Sequence, residues 1–393
     1  MKRTLRQYLT IAVFILALGG FSLLNLFTDA PRMLESERRA PAAFPEFSYK
    51  TFSNASFMSG FEKWAQDGFA MRESLRTIRA AMVFYAFRQT DKERLYIGAS
   101  GAGRFERIDE VAWRQSVDKI GRMAGRLQDG TIADVDMDFY AAVIPDKSLY
   151  AGRYLPGYDP AVAGRLMSEG LPADVRVIDL TEALAPQDFY TTDLHWDQTR
   201  IDGVMDALMA AMGAEVEVGA GTGDPAYAED RVVYAEDRIE YAGAFFGAYA
   251  GQVALPMAPD ALSYVSNHYI DTAEADYLNP RTAAMEAGSV YYPGALTGGG
   301  DPYDFFLGGP QPLIILSNPE QQNEGRVLYL FRDSFGSSIA PLFLRYYDRV
   351  ELIDLRYIDS RILGDYAEFE PGADVLFLYS SQILGSPTTL LVN

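Results

Sequence analysis

Val327-Leu328-Tyr329-Leu330-Phe331, followed directly by Arg332-Asp333-Ser334-Phe335-Gly336, is the stretch that decides the fold. An uninterrupted apolar run of this length predicts a buried strand, and the residues after it predict a turn into a helix over about 337–347. In open α/β sheets, the carboxyl ends of the strands carry the functional sites. Ser334 is therefore a candidate functional residue, and capping of the following helix is the alternative role for its side chain.

Further short apolar runs alternate with helical patterns on both sides of this stretch. They predict strands over residues 139–144, 175–180, 350–355 and 375–379, and a helix over 201–212. This alternation indicates an α/β domain, assigned to residues 95–393, with a mostly parallel sheet flanked by helices. Residues 214–310 break the rhythm, because they are rich in Gly, Ala, Asp and Tyr and have little periodicity. We interpret them as a loop-rich insertion.

The N-terminal segment is long and apolar enough to cross a bilayer. Residues 8–27 contain no charged side chain and follow a basic segment at residues 2–6. About 20 apolar residues span the hydrocarbon core, and the basic flank predicts a cytoplasmic N-terminus. Residues 1–30 are thus either an uncleaved anchor or a cleaved signal peptide. We favour the anchor, because residues 28–30 are a poor cleavage site. Either reading places the rest of the chain outside the cytoplasm.

Residues 31–94 have the pattern of a proline-containing linker followed by amphipathic helices. Apolar residues recur at helical spacing on both sides of Gly68, namely Phe57, Phe61 and Trp64 before it and Leu75, Ile78, Met82 and Tyr85 after it. We expect two helices that pack this apolar face against the main domain, in preference to a surface for a partner.

The composition excludes several classes of function. The formal net charge of −20 argues against nucleic-acid binding, which needs a basic face. The chain has no cysteine and only two histidines, so neither a disulfide nor a zinc centre is expected. The glycine clusters at 219–223 and 298–300 lack the strand–loop–helix context of a phosphate-binding loop. We therefore expect no metal and no cofactor.

Asp193-Leu194-His195-Trp196 supplies the second group of candidate residues. A hydroxyl, an imidazole and a carboxylate together make a serine nucleophilic, and Asp193 is close enough in sequence to orient the ring of His195. The other histidine, His268, lies in the irregular region and is expected at the surface. Ser334, His195 and Asp193 are therefore the candidate catalytic residues. A structural histidine at a loop–helix junction is the alternative for His195.

Several stretches, in order, resemble the family named for an Asp-His-His-Trp motif, related to the SGNH-hydrolase-like domains of alginate O-acetyltransferases. These stretches are residues 38–47, 67–73, 145–148, 190–196, 301–309, 332–335 and 354–357. The chain departs from the naming motif at one position, because Leu194 stands where the family has its first histidine. The resemblance implies an SGNH-hydrolase-like fold with a circularly permuted motif order, since the Asp-His block precedes the Ser block.

The resemblance also implies an activity. We expect an extracytoplasmic O-acyltransferase that O-acetylates a cell-surface polysaccharide, with a multispanning membrane O-acyltransferase as acyl donor. Ser334 would carry the acyl group, His195 would act as general base, and Asp193 would orient His195. A carbohydrate acetylesterase with the same triad is one alternative, and a non-catalytic, membrane-tethered glycan-binding protein is another. A Ser334–His195 pair held beyond hydrogen-bond distance would argue against both enzymes.

Further residues are predicted to support this chemistry. We expect Arg332, Asp333 and Lys147 to position the nucleophile loop or the glycan, and Trp196 to pack the His195 ring or line the pocket. The glycine and asparagine that complete an SGNH oxyanion hole have no clear counterparts in the chain. Gly243 and Asn318 are the candidates for them.

Overall fold

The computed structural model describes residues 2–28, 31, 33–34, 39–89, 91–132, 135–152, 157–214, 237–298, 300–320 and 323–392. The chain divides into two compact units. The first comprises Met1–Lys92 with Ala250–Met257, and the second comprises Glu93–Tyr249 with Ala258–Asn393. Most of the predicted insertion thus belongs to the second unit, although residues 215–236 lie outside the described part of the chain.

The first unit is helical. Its elements are α1 (Lys2–Phe27), α2 (Tyr49–Ser53), α3 (Ser56–Asp67), α4 (Arg72–Ala81), a π-helical turn at Met82–Ala86, and a short strand β1 (Asp91–Lys92). Within α1, the segment Arg6–Asn25 is long and apolar enough to cross a membrane, and none of it is buried. The Asp67 carboxylate receives two hydrogen bonds from the Arg39 guanidinium, at 2.7 and 2.8 Å, and so joins the chain after α1 to the end of α3.

The apolar residues of α4 and of the turn that follows it are exposed. Met71, Leu75, Ile78, Met82 and Tyr85, which we call the apolar stripe, follow one another at spacings of three and four residues and are all exposed. Ile78 is 55% exposed and Tyr85 is 68% exposed. Helical periodicity identifies an apolar face but not what covers it. The expected packing of these helices against the main domain stays a prediction.

The second unit is built on an eight-stranded sheet. Its strands are β4 (Asp138–Ile144), β5 (Arg176–Asp179), β8 (Glu274–Asn279), β9 (Ala284–Ala287), β10 (Leu313–Ser317), β11 (Val327–Arg332), β12 (Arg349–Ile353) and β13 (Asp374–Ser380). They lie in the order β5-β4-β13-β11-β12-β10-β8-β9. Two antiparallel pairs of strands are separate from this sheet. They are β2 (Leu95–Gly98) with β3 (Gly101–Arg104), and β6 (Arg238–Phe245) with β7 (Asp260–Ser266). The helices are α5 (Glu110–Gln128), α6 (Pro160–Gly170), α7 (Asp202–Ala211), α8 (Ala248–Val253), α9 (His268–Asp271), α10 (Gly336–Ile339) and α11 (Ser381–Leu384).

The sheet is parallel from β5 to β12 and antiparallel beyond it. Strands β5, β4, β13, β11 and β12 pair in parallel, whereas β10, β8 and β9 pair antiparallel at the other edge. The predicted mixed α/β fold with a mostly parallel sheet flanked by helices is confirmed. Strands β8 and β9, however, come from the segment that we had interpreted as loops. Their short, partly exposed edge positions give weak sequence signals.

Alternate residues of β11 point to opposite faces of the sheet, and both faces are covered by core residues. Leu328 and Leu330 pack on one face, in a cluster that includes Met205 and Leu208 of α7. Tyr329 and Phe331 pack on the other face, in a cluster with residues of α5 and α6. A strand covered on both faces reads as a continuous apolar run, which explains why this stretch was recognisable in the sequence.

The helix predicted over 337–347 is much shorter. It consists of α10, which ends at Ile339, followed by a 3-10 segment over Ala340–Arg345. Pro341 lies at this change and has no N–H to donate to the carbonyl group four residues earlier, so the α-helical hydrogen-bond pattern cannot continue through it. A helix of four residues has little macrodipole, so the chemistry after β11 depends on individual N–H groups of the turn.

Candidate active site

Ser334 lies in the turn between β11 and α10, at the carboxyl end of the parallel strands. The buried Asp333 carboxylate holds this turn by accepting hydrogen bonds from two main-chain N–H groups, that of Phe335 at 3.0 Å and that of Ser380 at 2.7 Å. Because Ser380 ends β13, Asp333 ties the serine turn to the neighbouring strand. The predicted role of Asp333 in positioning the loop fits this placement.

His195 bridges Ser334 and Asp193. Its Nε2 lies 2.8 Å from Ser334 Oγ, and its Nδ1 lies 2.7 Å from Asp193 Oδ1. An ionised carboxylate only accepts hydrogen bonds, so Nδ1 carries the proton and Nε2 is free to accept the Ser334 hydroxyl proton. Asp193 and His195 are buried, whereas Ser334 is partly exposed. These distances are those expected of a serine, a base and an orienting carboxylate, and the serine is the accessible member.

The environment of Asp193 favours its ionised form. Burial acts to raise its pKa, but the hydrogen bond and charge of His195, together with two main-chain N–H donors, hold the pKa below its ordinary value. The two donors are the N–H groups of His195, at 3.2 Å, and Ala248, at 2.9 Å. All of these contacts fix the carboxylate in one orientation. The imidazole is thereby kept in the tautomer that a general base requires.

Gly247 allows the chain before α8 to approach the Asp193 loop. A Cβ atom on Gly247 would lie 2.3 Å from the Thr192 carbonyl oxygen and 2.5 Å from Asp193 Cα. The Gly247 N–H instead donates to Thr192 Oγ1 at 2.7 Å. A larger residue here would displace the Ala248 N–H from Asp193. This contact was not predictable from the sequence, because no pattern in it links the two segments.

Lys147 supports the same loop from the other side. Its Nζ donates hydrogen bonds to the carbonyl oxygens of Ala102 at 2.8 Å, Tyr190 at 2.6 Å and Asp193 at 2.8 Å. Burial lowers its pKa to about 8, against the opposing influence of Asp193 and other carboxylates. An ammonium group has three N–H donors, and all three are used here. The structure therefore places the Lys147 ammonium group against the loop that carries Asp193, where its hydrogen bonds are all to main-chain carbonyl groups.

We expect Lys147→Met to destabilise the protein. The substitution keeps much of the side-chain volume but leaves three carbonyl groups without their donor, and one buried unsatisfied group typically costs about 1–3 kcal/mol. The free energy of unfolding should fall by about 3 kcal/mol or more. Urea unfolding of the full chain in mild detergent, followed by tryptophan fluorescence, measures this. Lys63→Met, at an exposed position of α3, is the matched control and should change stability little. Equal stabilities for the two variants would contradict the role of Lys147.

Aromatic residues fix the His195 ring. The Tyr303 ring stacks on it at a centroid distance of 3.7 Å and an interplanar angle of 5°. Tyr303 Oη and Trp196 Nε1 both donate to Ser338 Oγ, at 2.7 and 2.8 Å. Trp196 is fully buried and packs edge-on against Phe335, so it joins the His195 segment to the Ser334 segment. The sequence analysis missed Tyr303, although it lies in the 301–309 stretch that carried part of the resemblance.

Arg332 lies beneath the nucleophile turn. Its Nη1 donates to the Asp333 carbonyl oxygen at 3.2 Å and to Ser337 Oγ at 3.1 Å, and lies 3.5 Å from Asp354 Oδ2. The side chain is 1% exposed, and burial lowers its pKa while the Asp354 charge opposes that change. Gly336 makes this packing possible, because a Cβ there would lie 2.5 Å from Arg332 Cβ. Arg332 thus positions the loop and has no exposed surface for a glycan.

The two oxyanion candidates lie elsewhere. Asn318 follows β10, and Ser317 of β10 pairs with Arg349 at the start of β12, so the antiparallel register puts Asn318 at the edge opposite Ser334. Asn318 is therefore removed from the site. Gly243 lies in the β6–β7 hairpin beside Leu296, and no contact among the described residues joins it to Ser334. Within the described ranges, the Ser334 N–H makes no hydrogen bond, which leaves it as a donor for an oxyanion.

The remaining ionisable groups add no second centre of this kind. His268 is exposed, as predicted, and its Nε2 lies 2.8 Å from Glu320 Oε2. Among the residues that the structure describes, no group of three or more His, Asp and Glu side chains is arranged to hold a metal ion.

Several solved structures are similar to this chain in fold. A DHHW family protein from Eubacterium siraeum has a TM-score of 0.54 and 18% sequence identity, and the match covers 75% of this chain and 93% of that chain. The chain is a structural relative of the DHHW family. Bacillus cereus PatB1, solved with a sulfonyl adduct, has a TM-score of 0.53 and 18% identity, with coverage of 74% and 95%.

The likeness is one of fold. The O-acetyltransferase domain of Pseudomonas putida AlgJ has a lower TM-score of 0.38 at 14% identity, covering 72% of this chain and 87% of that chain. No protein-family model matches the chain, and no curated protein matches it. At these identities the likeness shows the fold alone, and the chemistry must be argued from the side chains.

Proposed function

We propose that this chain is a membrane-anchored, extracytoplasmic O-acyltransferase that acetylates a cell-surface polysaccharide through an acyl-Ser334 intermediate. The observation that carries the proposal is the hydrogen-bonded series from Ser334 through His195 to Asp193, at 2.8 and 2.7 Å. Its members come from segments 139 residues apart, and the packing of Trp196 and Phe335 holds them together. Acyl transfer needs this combination of nucleophile, base and orienting carboxylate.

The first half-reaction would load the serine. His195 Nε2 takes the hydroxyl proton as Ser334 Oγ attacks the carbonyl carbon of the acyl donor. The negative charge that develops on the carbonyl oxygen is stabilised by the Ser334 N–H, because main-chain donors at such a turn serve as oxyanion holes. The tetrahedral intermediate collapses, the bond to the leaving group breaks, and the leaving group receives the proton from His195. Asp193 stabilises the imidazolium during this step.

The second half-reaction would transfer the acyl group. A sugar hydroxyl replaces the leaving group, and His195 removes its proton as the oxygen attacks the acyl-serine. Collapse of the second intermediate returns the proton to Ser334 Oγ and releases the O-acetylated sugar. Arg332, Asp333 and Lys147 hold the two loops in register, and their contacts are to protein atoms. No cofactor enters either step.

The cellular setting is part of the proposal. The apolar α1 would serve as a single-pass anchor, with the N-terminus in the cytoplasm and the catalytic unit outside. Anchoring would keep Ser334 near a multispanning membrane O-acyltransferase that supplies the acyl group. The order of the Asp-His and Ser segments along the chain suits the circularly permuted form of an SGNH-hydrolase-like domain.

A surrogate reaction separates this function from its alternatives. The full chain in mild detergent is given p-nitrophenyl acetate, with and without a deacetylated polysaccharide, and nitrophenol, free acetate and glycan-bound acetyl groups are measured. For a transferase, we expect added glycan to accelerate nitrophenol release and to become acetylated. Release of acetate alone, unchanged by glycan, would identify an esterase. Glycan retention with neither turnover nor an acyl-enzyme would indicate a binding protein and contradict the proposal.

A further inference from the structure

The helix α4 exposes its apolar side, while its opposite side carries both a buried residue, Ala80, and an exposed one, Glu73, whose side chain is 54% exposed. Arg76 Nη2 donates to the Gly251 carbonyl oxygen at 2.8 Å, and Ala80, on the same side of the helix, is fully buried. The apolar stripe covers the opposite side, where Ile78 is 55% and Met82 is 47% exposed. A surface helix in water normally buries its apolar residues and exposes its charged ones. We therefore expect the apolar stripe to contact something other than water.

Further exposed apolar residues lie on α3, the helix before α4. Phe61 and Trp64 are each 39% exposed, and their rings contact one another and that of Phe44. These residues precede the turn at Gly68, and the apolar stripe begins just after it, at Met71. A soluble protein seldom exposes so many large apolar groups together without a binding partner.

Contacts with α1 fix the position of the turn between α3 and α4 along the axis of α1. The main-chain N–H of Ala70 donates to Asn25 Oδ1 at 2.8 Å, and the Phe69 ring stacks on the Phe21 ring at a centroid distance of 5.9 Å. Phe21 lies six residues before Phe27, the last residue of α1, which corresponds to about 9 Å along the helix axis. If α1 crosses the bilayer, the turn between α3 and α4 is therefore held at the depth of its outer boundary.

We propose that α4 lies in the outer bilayer interface, with the apolar stripe inserted among the lipid acyl chains. The proposal rests on the membrane anchor of the proposed function and not on its chemistry. Three observations favour a lipid surface over a second copy or a protein partner. The stripe begins directly after Phe69 and Ala70, which contact the membrane-crossing helix; it contains Tyr85; and arginines lie beside it in the sequence, as in helices that bind at bilayer interfaces.

Interfacial docking would have a consequence for the catalytic unit. A single flexible helix leaves the attached domain free to move away from the bilayer, whereas a second, in-plane helix restrains the first unit at the surface. The apolar stripe is thus a second membrane contact that would limit how far the acyl-serine site can travel from a membrane-bound donor.

Single-cysteine labelling tests this directly, because the natural chain has no cysteine. Nitroxide labels are placed by Ile78→Cys and Met82→Cys in the stripe, by Glu73→Cys on the opposite side of α4, and by Ile15→Cys inside α1. The full chain is reconstituted at low density in phosphatidylcholine vesicles. Collision of each label with oxygen, which concentrates in lipid, is compared with collision with a water-soluble nickel chelate.

We expect the labels at positions 78 and 82 to favour oxygen over nickel several-fold, as the label at 15 does, and the label at 73 to favour nickel. Nickel access at 78 and 82, with lipid exposure at 15, would overturn interfacial docking while leaving the anchor intact. Protection from both reagents, with spin–spin broadening, would replace the bilayer by a second copy and also overturn the proposal. Nickel access at 15 would remove the anchor and the docking together, but not the chemistry of Ser334.

Discussion

Replacement of Ser334 by alanine is expected to abolish acyl-enzyme formation and to lower turnover of an acetyl ester by about 10⁶-fold, the loss typical of a triad nucleophile. The reason is that no other hydroxyl replaces Ser334 Oγ, which lies 2.8 Å from His195 Nε2. Ser334 is partly exposed at the end of β11, and its removal deletes one oxygen atom without opening a core cavity. The free energy of unfolding should therefore change little.

Mass spectrometry of the intact chain and of its peptides measures the expected adduct. Wild type treated with p-nitrophenyl acetate or with phenylmethylsulfonyl fluoride should gain one acyl or sulfonyl group on the peptide that contains Ser334. Ser168→Ala, at an exposed position of α6, is the control and should label like wild type. Stoichiometric labelling of the Ser334→Ala protein would place the nucleophile elsewhere and refute the assignment.

Asp193→Asn is expected to lower kcat by about 10⁴-fold with a smaller effect on KM, as loss of the orienting carboxylate does in serine triads. The amide has nearly the same shape, but it stabilises neither the Nδ1–H tautomer nor the imidazolium. Asp193 Oδ2 also accepts a hydrogen bond from the Ala248 N–H. The side chain of asparagine has one oxygen acceptor, and its nitrogen only donates, so it cannot accept both this bond and the one from His195 Nδ1. Steady-state kinetics with the ester substrate measures the effect.

Asp260→Asn is the matched control for Asp193→Asn. Asp260 accepts hydrogen bonds from the main-chain N–H groups of Thr191 and Thr192, each at 2.7 Å, so it supports the same loop without a hydrogen bond to His195. Its substitution should lower stability, and kcat only by about tenfold or less, since it removes a structural hydrogen bond worth about 1–3 kcal/mol. Equal losses of kcat in the two variants would show that Asp193 acts on loop structure and not on the imidazole.

The pKa of Asp193 adds a pH dependence to this comparison. Because the folded-state pKa lies below the ordinary value of about 3.9, the ionised carboxylate stabilises the native state above that value. This contribution is lost as the pH falls through the lowered pKa. The difference in unfolding free energy between wild type and Asp193→Asn should stay constant at neutral pH and shrink below about pH 4. Urea titrations at several pH values provide the check.

The amino-acid sequence by itself determined the candidate site residues and the local framework. Residues 327–331 form the predicted buried strand, because a strand covered on both faces needs apolar side chains at every position. The helix expected over 201–212 is α7, because its apolar residues have a period of 3.6. The scarcity of histidine limited the choice of base to two residues, and the exposed His268 is not the one beside the serine.

Only the tertiary structure decided which groups meet. The 2.8 Å contact between His195 and Ser334 joins residues 139 positions apart, and Tyr303 stacks on the ring from a third segment. Because β10 runs antiparallel to β12, Asn318 lies at the edge of the sheet opposite Ser334. The apolar stripe of α4 is exposed. The physical reason is the same in each case. Sequence periodicity records how apolar a face is, whereas strand order, direction and packing determine which surface or side chain lies against it.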